Sequence, residues 1–215
     1  MGKHDKLKRL EHEGIVAILR GIEEIEAMNL AKALYEGGIR CLEVTFNTPG
    51  AKEMIYNIKG AFGDDLLVGG GTVLDDVTAK EAIEAGAEFI LSPSLHREVI
   101  EVCNQHGVIS VPGVYTPTEM VQGHKWGADI VKIFPADILG PKYIQQVRGP
   151  LENIPIMAVG GISLENAAAF IGAGAMSIGV GSTLINKKYI EEKRYDKITE
   201  LASAFTAIVR TAKEK

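Results

Sequence analysis

Short apolar runs recur along the chain roughly every 20 to 25 residues, each followed by a turn and an amphipathic stretch that closes on glycine. Eight of them read as candidate strands: GIVAILR from Gly14, CLEVTF from Cys41, LLVGGGTV from Leu66, FILSPS from Phe89, VISVPGV from Val108, DIVKIFP from Asp129, IPIMAVGG from Ile154 and MSIGVGS from Met176. Between them lie helical patterns such as EEIEAMNLAKALYEGG, DDVTAKEAIEAGA, HREVIEVCNQHG and LENAAAFIGAGA. Gly37, Gly86, Gly107 and Gly172 stand where a helix needs a left-handed residue to stop. One helix precedes the first strand, and a last one begins at about Tyr195.

Strands that are apolar nearly throughout and alternate with helices predict a parallel sheet covered on its outer face. Eight such units predict an α/β fold, a closed (β/α)8 TIM barrel with an N-terminal helix, near the short end of that fold's range. A doubly wound sheet would want a phosphate fingerprint after strand one, and GIVAILRGIEE has none. GGGTV from Gly69 lacks the third glycine of that fingerprint and reads as a tight strand end. No proline-rich linker or charge block divides the chain, so residues 1–215 read as one domain.

Against this pattern two charges stand out. In a barrel strand alternate side chains point to the lumen and to the helices. That parity groups Ile130, Lys132 and Phe134 against Val131 and Ile133, and Cys41, Glu43 and Thr45 against Leu42, Val44 and Phe46. The wholly apolar sets belong against the helices, so Lys132 and Glu43 are expected to point inward. Arg20, ending strand one, and Thr72, ending strand three, are expected at a similar height, so four polar groups converge on the C-terminal mouth, where barrel active sites lie. A buried ion pair without chemistry is the structural alternative. The chemical reading is that desolvation lowers the lysine from its ordinary pKa of about 10.4 and creates an imine-forming nucleophile, with Glu43 as proton carrier.

Strand seven ends in AVGGIS (Ala158 to Ser163) and strand eight in GVGST (Gly179 to Thr183). Barrels often bind phosphate with these two loops, through bare backbone N–H groups and a helix N-terminus, and Ser182 adds a hydroxyl.

Composition narrows the possibilities. Apolar residues make up 46% of the chain and charged residues 24%, and the net charge of -5 leaves no basic surplus for nucleic acid. The charged start MGKHDKLKRLEHEG is neither a secretory signal nor a membrane span, so a cytoplasmic location is expected, with no membrane partner. Cys41 and Cys103 lack CxxC spacing and read as reduced thiols. His4, His12, His96, His106 and His124 have no metal-ligand spacing, so no metal is expected.

With these residues placed, the sequence resembles the class I aldolases of the 2-dehydro-3-deoxy-phosphogluconate and 4-hydroxy-2-oxoglutarate family. The matching blocks are LEVTFNTP, GGGTVLD, SPS, VPGVYTPTE, VKIFPAD, AVGGIS and GVGST, in order over nearly the whole chain. The resemblance implies a Schiff base on Lys132, acid/base work by Glu43 and a pyruvyl-carboxylate contact from Thr72, with no cofactor. It implies a phosphate site at Gly160, Gly161, Gly181 and Ser182, and a pocket lined by Phe134 and Pro93. It also implies a phosphorylated keto-deoxy sugar acid as substrate, pyruvate as product and a homotrimer. One position departs from the gluconate-type pattern, since Asn47 stands where those members carry an arginine that helps bind the pyruvyl carboxylate. Arg20 is the expected substitute, because a guanidinium suits a carboxylate. ILRG with NTP, and Val159 rather than threonine before Gly160, are similar to the branch acting on the galacto-configured C4 epimer. The rival readings are a sugar-phosphate epimerase or isomerase and a non-catalytic phosphate-binding barrel.

Overall fold

The computed structural model describes residues 1–214. Strands β1 (Ile15–Leu19), β2 (Cys41–Thr45), β3 (Leu67–Gly71), β4 (Phe89–Leu91), β5 (Ile109–Val111), β6 (Gly113–Val114), β7 (Val131–Ile133), β8 (Ile156–Val159) and β9 (Ser177–Val180) form one parallel sheet. Its order is β5-β4-β3-β2-β1-β9-β8-β7-β6. Helices α1 (Lys3–Glu13), α2 (Glu24–Glu36), α3 (Ala51–Phe62), α4 (Asp76–Glu84), α5 (Arg97–Gln105), α6 (Pro117–Lys125), α7 (Ala136–Arg148), α8 (Ala167–Gly172), α9 (Lys187–Glu191) and α10 (Tyr195–Lys213) complete the chain.

The predicted barrel is present, but its fifth strand is two segments rather than one. Pro112 has no N–H to give to a ladder and separates β5 from β6. β5 pairs with β4 while β6 pairs with β7, so the break falls where the sheet closes on itself. Closure survives because the chain runs straight through: Asp129 N–H donates to Ser110 O at 3.2 Å and Lys132 N–H donates to Pro112 O at 2.8 Å.

Side chains sort as the alternation predicts. Leu42, Val44, Val131 and Ile133 pack in the outer layer against the helices, whereas Ile18, Cys41, Phe89, Ile130, Met157 and Val159 pack in the lumen. Leu10 of α1 joins the lumen set, so the first helix plugs the N-terminal end of the barrel. Ion pairs hold that plug, Lys6 to Glu88 at 3.0 Å and Lys3 to Asp129 at 2.9 Å. The barrel is thus closed below and open only at the C-terminal face.

Two of the expected helix stops move. Gly86 and Gly107 are left-handed as predicted, but next to Gly37 the left-handed residue is Gly38 (φ 92°), and Gly174 (φ 101°) takes that part near Gly172. Gly37 is needed for a different reason: a Cβ there would overlap Ala202 and the Thr199 carbonyl of α10, so its bareness lets α2 and α10 approach.

Candidate active site

Glu43 lies at the middle of β2 and is completely buried. Neither carboxylate oxygen has a hydrogen-bond partner, an expensive arrangement that native folds keep for function or strain. The strand GGG explains how it fits. A Cβ on Gly69 would overlap the Phe89 ring, and one on Gly71 would overlap the Glu43 carboxylate, so the glycines make room in the lumen.

Lys132, on β7, is 2% exposed and in register with Gly113 on one side and Met157 on the other. Its Nζ stands 4.9 Å from the Phe134 ring centroid, with buried Ile130 on the same face. The ion pair considered as the structural alternative is not formed: among the described residues neither Lys132 nor Glu43 has a salt-bridge partner within 4.0 Å. Burial pushes the Glu43 carboxyl above its ordinary range, while the charges of Lys132 and Arg20 pull it back. Burial lowers the Lys132 ammonium, with Arg20 adding to the effect and Glu43 opposing it. Each shift favours the neutral form, a free amine and a carboxylic acid facing the same lumen.

The residues around this pair are less uniform than the sequence suggests. Strand β1 ends at Leu19 and strand β3 at Gly71, so Arg20 and Thr72 stand one step beyond the strands. Arg20 is exposed, and so is Asn47. Thr72 takes a left-handed conformation (φ 57°), unusual for a β-branched residue and of the kind that concentrates at functional sites. Pro93, partly buried, lies so close to β6 that a Cβ on Gly113 would overlap its backbone.

A cavity of about 520 Å³ opens at the C-terminal face. It brings together seven of the expected residues: Arg20, Phe134, Val159, Gly160, Gly161, Gly181 and Ser182. Lys132, Glu43, Asn47, Thr72 and Pro93 are not part of its lining, although the Lys132 Nζ stands over the ring of Phe134, which is. Gly160 and Gly161 are both left-handed (φ 99° and 64°), which only glycine tolerates at no cost. Thr183 Oγ1 donates to the Ile162 carbonyl at 2.6 Å and ties the two glycine turns together. The expected helix N-termini do not follow directly, because α8 starts at Ala167 and α9 at Lys187. Bare turn amides, rather than helix ends, are what the turns present.

Two polar lining side chains were not foreseen from the sequence, Asn186 and Lys187. They follow an irregular turn after the last strand, where periodicity carries no information.

Cys41 and Cys103 are free and buried, and burial raises the Cys103 thiol to about 12. Among the described residues no group of three or more His, Cys, Asp or Glu side chains is placed to hold a metal ion. No described helix is long and apolar enough to cross a membrane.

The family profile described as KDPG and KHG aldolase matches residues 7–201. The chain belongs to the KDPG and KHG aldolase family. Among its KDPG/KHG relatives, the 2-dehydro-3-deoxy-6-phosphogalactonate aldolase of Escherichia coli K12 is 35% identical over 199 residues, covering 92% of this chain and 95% of that protein. The 2-dehydro-3-deoxy-phosphogluconate aldolase of Treponema pallidum is 34% identical over 202 residues, covering 93% and 95%. Among solved structures, the KDPG aldolase of Legionella pneumophila with pyruvate captured as a covalent carbinolamine superposes with a TM-score of 0.87 at 28% identity, covering 93% of this chain and 97% of that one. The chain is thus a class I aldolase, a carbon–carbon lyase of the KDPG/KHG type, and the expected reaction class stands.

Proposed function

We propose that Lys132 is the imine-forming nucleophile and Glu43 the proton carrier in reversible cleavage of a 2-keto-3-deoxy-6-phospho sugar acid. The observation that carries the assignment is a buried, unpartnered carboxylate sharing a lumen with a buried amine that no carboxylate neutralises. Buried ionisable groups without partners destabilise a fold and persist where the chemistry uses them.

In this reading the neutral Lys132 amine attacks the C2 ketone, and Glu43, starting as the acid, gives its proton to the carbinolamine hydroxyl, which leaves as water, so that a protonated imine and a Glu43 carboxylate remain. Glu43, as carboxylate, takes the C4 hydroxyl proton directly or through a water. The C3–C4 bond then breaks, its electron pair moves into the imine to form an enamine, and glyceraldehyde 3-phosphate leaves. Glu43 returns the proton to C3 of the enamine. Hydrolysis of the resulting imine frees pyruvate and regenerates Lys132.

Arg20 binds the pyruvyl carboxylate in place of the arginine absent at Asn47, beside Thr72; its charge acting on both Lys132 and Glu43 supports that placement. Gly160, Gly161, Gly181 and Ser182 hold the phosphate. Phe134, Pro93 and Val159 shape the pocket, and Val159 favours the galacto-configured C4 epimer. The reading takes residues 1–215 as one aldolase domain, cytoplasmic and assembled as a homotrimer. Exposed Ile25, Tyr56 and Val77 on α2, α3 and α4 support association.

Borohydride reduction in the presence of pyruvate, followed by peptide mapping, tests the core assignment. The adduct is expected on Lys132 and is expected to vanish in Lys132→Ala; an adduct elsewhere, or one that survives, overturns it. Measuring kcat/KM side by side for both C4 epimers and for 4-hydroxy-2-oxoglutarate decides the substrate.

A further inference from the structure

Arg20 makes no side-chain hydrogen bond or ion pair among the described residues, yet its backbone is gripped on both sides. Thr45 Oγ1 donates to the Leu19 carbonyl at 3.3 Å, and Gly21 N–H donates to Thr48 Oγ1 at 2.9 Å. The two hydroxyl oxygens are 3.0 Å apart. Because the Thr45 proton is used on Leu19, the proton between the hydroxyls belongs to Thr48, and the chain runs one way. The Leu19 carbonyl belongs to the peptide before Arg20 and the Gly21 N–H to the peptide after it. Both peptide planes flanking the Arg20 Cα are thereby tied to the end of β2 and the turn that follows it.

Both threonines are essentially buried, 0% and 2% exposed, so losing either hydroxyl bond would leave a polar group unpaired away from water. Gly21 (φ 61°) is left-handed and turns the chain sharply just after the arginine. The exposed side chain is thus aimed by its backbone and not by side-chain contacts.

We propose that Thr45 and Thr48 are positioning residues that hold Arg20 in place for the substrate's carboxylate. The proposal rests on the reading of Arg20 as the carboxylate ligand. A guanidinium on a long flexible stem loses affinity to the freedom it gives up on binding, and a clamp on the adjoining peptides removes part of that loss in advance. Half of the clamp, Thr48, comes from the NTP segment, the stretch in which gluconate-type members place their own arginine. This chain therefore keeps the end of β2 in carboxylate recognition while moving the charge to β1.

A double-mutant cycle tests the idea, with the pyruvate concentration giving half-maximal borohydride trapping at Lys132 as readout. Arg20→Ala is expected to raise that concentration about 10-fold or more, and Thr48→Val about 3- to 10-fold. Thr48→Ser, which keeps the hydroxyl, should restore near wild-type affinity. The double variant should be no worse than Arg20→Ala alone, because the clamp acts only through the arginine. Effects that multiply, or a Thr48→Val variant with wild-type affinity beside a weakened Arg20→Ala, overturn the clamp. Wild-type affinity in Arg20→Ala overturns the carboxylate reading and the clamp with it, and the single variant alone reveals that case. If Thr48→Val does not fold, Thr48→Ala takes its place in the same cycle.

Discussion

Glu43 occupies the volume that a side chain on Gly71 would take, because a Cβ built there would overlap its carboxylate. The glycine belongs to a different strand and touches no reacting group in the proposed chemistry. Gly71→Ala should therefore displace the proton carrier while the barrel still folds. The expected result is a fall in kcat of about 100-fold or more, within the range general acid–base catalysis supplies, with the far-ultraviolet spectrum retained. Activity within a few-fold of wild type would show that Glu43 has room to spare.

Lys132 titrates against three influences, and their signs give a pH prediction. Burial and Arg20 lower its pKa, and the Glu43 carboxylate raises it. The rate of pyruvate trapping, followed against pH, should rise along a limb that lies below the ordinary lysine value of about 10.4. Glu43→Gln removes the opposing charge and should move the limb to lower pH. Arg20→Ala should move it to higher pH. Shifts in the reverse directions would contradict the electrostatic assignment.

Lys187 lines the same cavity as the glycine turns and has no ion-pair partner within 4.0 Å among the described residues. Lys187→Met should weaken binding of the phosphorylated substrate, raising KM by about 10-fold, the low end of a hydrogen bond to a charged group. The pyruvate concentration for half-maximal trapping should stay unchanged, since pyruvate carries no phosphate. Steady-state kinetics beside the trapping assay checks both arms.

Val159, 3% exposed, faces the cavity just before the left-handed Gly160. Val159→Thr keeps the shape and adds a hydroxyl. The ratio of kcat/KM values for the two C4 epimers should move toward the gluconate-configured one by about 10-fold, a size typical of a single polar contact in a pocket. Equal effects on both epimers would remove Val159 from stereochemical control.

Much of this was legible in the strand pattern. Parity alone put Lys132 beside Ile130 and Phe134 and set Glu43 against Leu42 and Val44, because side chains alternate strictly along a strand. The glycine turns were legible as bare backbone, but not their distance from the next helix. The left-handed stops slipped by one residue to Gly38 and by two to Gly174, since neighbouring glycines offer the same local freedom; at the first of these, Gly37 is held bare against α10. Lys187 was invisible because it opens a helix of only 5 residues, too short for a period to be read.

The sequence by itself determined the alternation of strand and helix, the faces of the strands and the identity of the inward amine and carboxylate. Those follow from local periodicity and the cost of burying charge. Tertiary structure alone decided that the amine and carboxylate remain unpaired, that Gly71 makes room for Glu43, that Pro112 breaks the sheet where it closes, and that Thr45 of β2 and Thr48 of the turn after it hold the peptides around Arg20. Each of these depends on which atoms of distant segments share a few cubic ångströms, and a linear pattern carries no such information.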